Sequence, residues 1–368
     1  MSSDFYSIPQ HIILVLCSAI SGSLSLLGSS IILWIIWRDR SIKLTHVYHR
    51  ILFVISIIDC IISVNFIFSF LAVPNGLFWG ARGNTATCEA SGFIISFLSS
   101  IAFYNAGLAL YYFLIIVRST PQDFLTRTLE PLTHIISILL PISFSTWILI
   151  TDSYNPLLFN GGWCSVYQFP QDCSSDGGHI ECTRGKMAKL IARVFMFCFN
   201  LPPFLVFIMA MVFIIWNTKK QDMTASRYRV SSRFDHFNET INQALLYIAS
   251  FLFPYAIALL AAFIPTKNSS IRFLVASLVK LILPLSGLSN CIIYIRPRYI
   301  LLRLDRGESA SSYSLLHEII FGRRSTESTN LVEEEFAPEL TLDTSVQQET
   351  PSHDELERDR IVEQYENS

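Results

Sequence analysis

Long apolar stretches are the feature that most constrains the fold of this chain. A helix needs about 20 mostly apolar residues to cross the ~30 Å hydrocarbon core of a bilayer. Scanning the sequence for such stretches finds seven, of which the fourth is the shortest and most polar. They are residues 13–37, 51–73, 92–117, 132–151, 190–216, 241–264 and 272–295. The sequence therefore predicts an all-α fold, a bundle of seven transmembrane helices.

The composition agrees with lipid as the main solvent. Only 15% of the 368 residues are charged and 51% are hydrophobic, whereas soluble domains carry about 25% charged residues. No basic face or stripe of the kind that binds nucleic acid is present, so no nucleic-acid partner is expected. The first ten residues lack the basic region of a cleaved signal peptide, and we expect the first apolar stretch to remain as a helix.

The distribution of Lys and Arg predicts the orientation of the spans. The loops on one side carry eleven of these residues and the loops on the other side five. Basic residues concentrate in the cytosolic loops of membrane proteins. We therefore expect the N-terminus outside the cell, a multi-pass location in the plasma membrane, and a cytosolic tail.

Cysteine positions give an independent indication of the same orientation. Four cysteines fall inside predicted spans and four in loops assigned to the outside, with none in a cytosolic segment. An even set on the oxidising side is what disulfides require. The loop cysteines are Cys88, Cys164, Cys173 and Cys182, and four cysteines allow three pairings.

The chain divides into four segments by composition. Residues 1–12 form an extracellular N-terminus, and residues 13–295 form the seven-span domain. Residues 296–306 contain RYILLRL, which predicts a short amphipathic helix at the inner membrane surface. Residues 307–368 are rich in Ser, Thr and Glu with few aromatics, and we expect a disordered cytosolic tail.

Several motifs, taken in order, resemble G-protein-coupled receptors of the slime-mould cyclic-AMP receptor class. The third span reads CEASGFIISFLSSIAFYNAGLALYYFLIIVR, the second RILFVISIIDC, and the seventh PLSGLSNCIIYIRPRY. The loop motif GGWCSV is similar to the Trp-Cys that receives the third-span cysteine. The resemblance covers residues 13–299 and excludes the tail.

Three departures separate the chain from the large rhodopsin-like class of these receptors. The end of the third span lacks Asp-Arg-Tyr, the sixth span has FLFPY in place of Cys-Trp-x-Pro, and Cys291 follows Asn290 where that class has proline. Detailed transfer of the rhodopsin-like activation switch is therefore not justified.

The resemblance implies roles for five polar residues inside the spans. Asp59 matches the span-two carboxylate that, with the span-seven Asn and nearby hydroxyls, holds water or a sodium ion. Its candidate partners are Ser286, Ser289 and Asn290. Tyr294, one turn after Asn290, matches a tyrosine that stabilises the active inner face, although an interfacial anchor is an equal alternative.

Lys280, Arg193 and Asn105 are the candidate ligand-binding residues. Lys280 and Arg193 lie in the outer halves of spans seven and five, and two cations there would suit an anionic ligand. The alternative for both is a long side chain that reaches to the outer headgroups. We favour this alternative for Arg193, and for Lys280 it stays open beside a ligand or counter-charge role.

No cofactor is expected. Opsins carry their retinal-binding lysine six residues before the span-seven Asn, and here that position is Pro284. Microbial rhodopsins carry Asp four residues before the lysine, and here that position is Ala276. A retinal Schiff base on Lys280 is therefore not predicted.

The resemblance also implies a disulfide pairing and partners. It joins Cys88 to Cys164, which leaves Cys173 to pair with Cys182. A heterotrimeric G protein is expected at the basic inner face, which also suits anionic lipid. Phosphorylation of Ser325 and Thr326 after Arg323-Arg324 would suit an arrestin-like partner.

A receptor is the preferred interpretation, and a seven-span transporter or channel is the alternative. Transporters are typically built from paired half-repeats with acidic coupling sites. Of these features the sequence offers only a candidate acidic coupling site, Asp59. No enzyme is predicted, because the spans show no nucleophile–base pair and His134 stands alone at a span edge.

Overall fold

The computed structural model describes residues 6–77, 79–158, 161–171, 173, 180–228, 242, 245–246, 249–250, 252–254, 256–257, 269–306 and 311–322. Within these residues, six helices are long and apolar enough to cross a membrane. They are α1 Ile8–Arg38, α2 Val47–Ala72, α3 Thr85–Ile116, α4 Gln122–Ile150, α5 Ala188–Asn217 and α6 Ser269–Arg306.

Helices α1 to α5 confirm the first five predicted spans as helices, and α6 confirms the seventh. The predicted sixth span, residues 241–264, lies largely outside the described residues, and those described within it are helical. The helix of α5 extends beyond its span to Tyr228. The chain thus has the helices of a multi-pass membrane protein.

Three of the long helices contain turns of altered winding. Helices α4 and α5 each contain a wider π-helical turn, at Leu125–Leu129 and Phe195–Asn200. Helix α6 contains a tighter 3-10 turn at Leu283–Leu285, where Pro284 lacks the N–H of a regular helical hydrogen bond. Such turns change the rotational register of the residues on either side.

Helix α1 packs against α2 and α6 through small residues. A Cβ atom on Gly28 would lie 2.7 Å from both the carbonyl oxygen of Gly287 and the Cα of Leu288. Ser25 Oγ accepts a 3.0 Å hydrogen bond from the backbone N–H of Gly287. Small residues let helix backbones approach closely in membranes, where dispersion and hydrogen bonds drive helix association. The Gly28–Gly287 contact therefore fixes the level at which α1 meets α6.

A two-stranded antiparallel hairpin covers one end of the bundle, which we call the hairpin end. Strand β1, Tyr154–Leu157, pairs with β2, Trp163–Val166. The ring of Tyr154 lies against Gly92 of α3, where a Cβ would come within 2.5 Å of the ring. We call the opposite end, with Arg38 to Arg50, the basic end.

The helix predicted over residues 296–306 is corrected by the structure. These residues continue α6 as a single helix to Arg306. A separate short helix, α7, lies later, at Ser312–Phe321, in the segment for which we expected disorder. Leu315 and Ile319 are four residues apart on one face of α7 and are fully buried, which explains why the short helix docks.

Candidate functional site

Asp59 lies in the middle of α2 with 2% of its surface exposed. The hydroxyl of Ser286 donates a 2.6 Å hydrogen bond to its Oδ1. The amide of Asn290 donates a 3.4 Å bond to its Oδ2. Ser286 and Asn290 share a face of α6, one turn apart, so Asp59 joins α2 to α6. Ser289, half-buried on α6, is not among the described hydrogen-bond partners of Asp59.

A cavity of about 20 Å³ lies beside the partners of Asp59. Asn105 of α3 lines it together with Ser286 and Asn290. The rest of the wall is Leu98, Ile101, Ser250, Pro254 and Leu283. A water needs roughly 10–15 Å³ by this measure, so one water or a small ion fits. Amide and hydroxyl oxygens are ligands suited to hard cations. Asn105 thus belongs to the Asp59 region.

Tyr294 lies four residues beyond Asn290, buried at the basic end. Lys43 Nζ donates a 2.6 Å hydrogen bond to its hydroxyl and lies 4.9 Å from the ring centroid. The ring of His49 packs edge-on against it at 5.8 Å. The short connection after α1 is therefore tied directly to α6.

Lys280 is the most deeply buried cation of the described chain, with 1% of its surface exposed. Its ammonium donates a 2.6 Å hydrogen bond to the carbonyl of Gly161, in the turn between β1 and β2. The same ammonium lies 5.0 Å from the ring centroid of Trp163. Its backbone carbonyl accepts a 3.0 Å bond from Ser21 of α1. Lys280 therefore connects α6 to the hairpin.

Arg193 occupies an exposed position on α5. The described contacts of Lys280 come from α1 and the hairpin, and none comes from α5. Lys280 and Arg193, grouped by the sequence as candidate ligand residues, are therefore not in contact with the same elements of the described chain.

The loop cysteines form two disulfides, Cys88–Cys164 and Cys173–Cys182. The first ties β2 to the start of α3. The second closes a nine-residue separation within the segment that follows β2. This is the pairing that the resemblance implies.

Arg184 connects several segments at the hairpin end. Its guanidinium pairs with Glu89 of α3 and lies 3.2 Å from Asp152 after α4. It also donates a 3.2 Å hydrogen bond to Asn155 of β1. Nearby, burial raises the pKa of Tyr154 to about 12, although its hydrogen bond with Ser96 opposes the rise. The hairpin is thus held by an ion pair and a buried hydroxyl as well as by a disulfide.

A second polar chain, missed by the sequence reasoning, lies toward the basic end. Arg50 of α2 makes two hydrogen bonds to the carboxylate of Glu130 of α4, at 2.5 and 2.6 Å. His134 Nε2 lies 3.8 Å from the same carboxylate, and its Nδ1 shares a 2.9 Å hydrogen bond with the hydroxyl of Tyr104.

The expectation that His134 stands alone was therefore wrong. Glu130 and His134 are separated by one helical turn, a spacing that places both on one face of α4. This four-residue spacing is the feature of the sequence that indicates contact between Glu130 and His134. The sequence places Arg50 among the loop charges, although its guanidinium donates to Glu130 and to the carbonyls of Leu44 and Thr45.

Comparison with family models gives no match, and comparison with curated protein sequences gives none either. Among solved structures, the chain is similar to squid rhodopsin, with 14% sequence identity and a TM-score of 0.55. The match covers 88% of this chain and 95% of the other. The fold is a rhodopsin-like helical bundle. At this level of identity the likeness concerns the fold alone.

Ser325 and Thr326, the candidate phosphorylation sites, lie outside the described residues.

Proposed function

We propose that this chain is a G-protein-coupled receptor of the plasma membrane that binds an extracellular, anionic small molecule. Its N-terminus is outside, and it signals to a heterotrimeric G protein at the basic end. Within such receptors we assign it to the slime-mould cyclic-AMP receptor-like class. Cyclic AMP is not thereby assigned as its ligand.

The observation that carries this proposal is the Asp59 network inside a rhodopsin-like bundle. Asp59 bonds to Ser286 and Asn290 beside a cavity that Asn105 also lines. Carboxylates inside spans are costly and mark functional positions. This network connects α2, α3 and α6 at mid-depth, where a rearrangement at the hairpin end is transmitted to the basic end. We assign water or a sodium ion to the cavity.

Two further proposed partners, anionic lipid and an arrestin-like protein, are inferred from the distribution of charge. The basic end suits anionic lipid as well as the G protein. Phosphates on Ser325 and Thr326 would add the negative charge that an arrestin-like protein recognises.

The test is a ligand screen on cells that express the chain with a promiscuous G-protein reporter. We expect a ligand-dependent signal that Asp59→Ala abolishes while surface expression is retained. Ser289→Ala provides the matched control, because Ser289 neighbours the network without bonding to Asp59, and its response is expected to match that of the wild type.

The rival function is a seven-span transporter or channel. Substrate uptake or current without any G-protein response in the same cells would contradict the receptor and support the rival. Uptake that depends on Asp59 would assign the carboxylate to ion coupling.

A further inference from the structure

Lys280 is a buried basic side chain whose amine has few partners among the described residues. A charge inside a membrane protein is costly unless it is paired and hydrogen-bonded. An ammonium has three donors, and the described residues give it one acceptor, the carbonyl of Gly161, together with the face of Trp163. No carboxylate lies within ion-pair distance in the described part of the chain.

Trp163 supplies a second buried donor on the ring that the Lys280 amine contacts. It is 95% buried, and its indole N–H has no hydrogen-bond acceptor among the described residues. Buried indole N–H groups normally find an acceptor. Of these two neighbouring buried donors, Lys280 thus has one acceptor oxygen and Trp163 has none among the described residues.

The surroundings of these two donors are apolar and tightly packed. A Cβ on Gly161 would lie 2.7 Å from Leu14 and 3.0 Å from Cε of Lys280. The ring of Phe66, 1% exposed, lies 5.2 Å from that of Trp163. Gly161 itself has a φ of +74°, a conformation that glycine adopts without strain.

We propose that Lys280 and Trp163 form a binding site for the carboxylate of a small organic monoanion, whose oxygens replace the carbonyl of Gly161. The site rests on the proposed function, because it specifies the anionic ligand of the receptor. The loop carbonyl holds the ammonium when the ligand is absent and moves aside when the ligand binds.

The charge and packing select the ligand class. One buried cation neutralises one negative charge, so a carboxylate leaves the site neutral, whereas a phosphate dianion leaves an uncompensated charge. The flanking Leu14 and Phe66 favour an apolar body on the ligand. Arg193, exposed on α5, takes no part.

The experiment measures thermal unfolding of the purified full-length chain in lipid nanodiscs against benzoate concentration. Benzamide, of the same shape without charge, and inorganic phosphate serve as comparison probes. We expect benzoate to raise the midpoint by about 2–4 °C when it is well above its dissociation constant. Benzamide and phosphate are expected to leave the midpoint unchanged.

Two variants and one control locate the site. Lys280→Gln removes the charge and is expected to abolish the benzoate shift. Trp163→Phe keeps an aromatic face but removes the N–H, and should raise the half-saturating benzoate concentration by roughly tenfold. Arg193→Gln is the control and should respond like the wild type. If Lys280→Gln does not fold, Trp163→Phe decides the result.

The proposal is overturned if benzoate leaves the wild-type midpoint unchanged or if benzamide or phosphate matches its effect. It is also overturned if Lys280→Gln or Trp163→Phe folds and retains the full response. Because no G protein is present, this result is independent of the receptor test. If the chain signals but does not bind benzoate, only the proposed carboxylate site is contradicted. If it binds benzoate without signalling, only the proposed receptor function is contradicted.

Discussion

At the scale of single residues, Asp59 is stabilised by two neutral donors and no cation in the described chain. Both of its oxygens accept a hydrogen bond from α6. A buried acceptor left without its donor loses more free energy than a hydrogen bond contributes when formed, because its desolvation is no longer compensated. The decrease in the free energy of unfolding when one donor is removed therefore measures how strongly this contact holds α2 to α6.

Ser286→Ala is expected to lower the free energy of unfolding by about 1–3 kcal/mol. Ser289→Ala, three positions along the same helix, should change it by less than about 0.5 kcal/mol. Chemical unfolding of both variants in the same detergent measures the difference. Equal effects would mean that the Ser286–Asp59 bond contributes no more than an ordinary half-buried serine.

Breaking the Arg50–Glu130 pair is expected to lower the free energy of unfolding at least as much as Ser286→Ala does. Glu130→Gln leaves the guanidinium of Arg50 partly unpaired beside α4 and should cost about 2–3 kcal/mol, toward the low end because about a quarter of the Arg50 side chain is exposed. A double-mutant cycle with Arg50→Gln isolates the pair. A coupling energy near zero would contradict a stabilising role.

The candidate partners of Asp59 came from the family resemblance, which named Ser289 as well as Ser286 and Asn290, and the four-residue spacing of the last two explains why both can reach it. The contacts of Lys280 could not be predicted. Its acceptor, Gly161, lies in a turn whose path depends on the hairpin register and on the Cys88–Cys164 bridge, and hydropathy carries no information about either. Arg50 and Glu130 were missed because each lies near the edge of an apolar stretch, where a charge is ordinary.

At the scale of elements, α7 is held by its buried face and by its last carbonyls. Arg38 of α1 donates a 2.7 Å hydrogen bond to the carbonyl of Ile320, and Trp34 donates a 3.0 Å bond to the same oxygen. Arg306 pairs with Glu318 at 2.6 Å. The unsatisfied carbonyls of a helix end attract cationic donors, so the end of α1 caps α7.

Leu315→Gln is expected to undock α7, because Leu315 is fully buried, whereas Leu316→Gln at a 40% exposed position should not. Hydrogen exchange of residues 312–321 compares the two, with faster exchange expected for Leu315→Gln alone. Equal exchange rates in the two variants would show that the backbone capping by Arg38 and Trp34 suffices to hold the helix.

The positions of the long helices could be predicted because the bilayer thickness dictates their length. Their ends beyond the apolar region could not. The RYILLRL segment has an amphipathic pattern whether it continues α6 or lies separately, and the pattern alone does not distinguish the two. The structure continues the helix through Pro297, which membrane helices tolerate.

At the scale of the whole molecule, the orientation in the membrane is a prediction from basic-residue counts and cysteine placement. An engineered glycosylation sequon inserted on a spacer before Ile8 is expected to be modified. The same sequon placed after Gly322 should remain unmodified, because glycosylation occurs only on the luminal side. A mass shift on glycosidase treatment measures each, and the reverse pattern would invert every assignment of outside and inside.

Helix α6 carries Lys280, the partners of Asp59 and Tyr294 along one axis, with the 3-10 turn at Leu283–Leu285 between the first and the second. A 3-10 turn advances about 120° and 2.0 Å per residue, and an α-turn about 100° and 1.5 Å. Rewinding these three residues as α-helix would twist the two halves of α6 against each other by roughly 60° and shorten it by about 1.5 Å. Such a rewinding would rotate Ser286 and Asn290 about the helix axis relative to Lys280, on the other side of the turn.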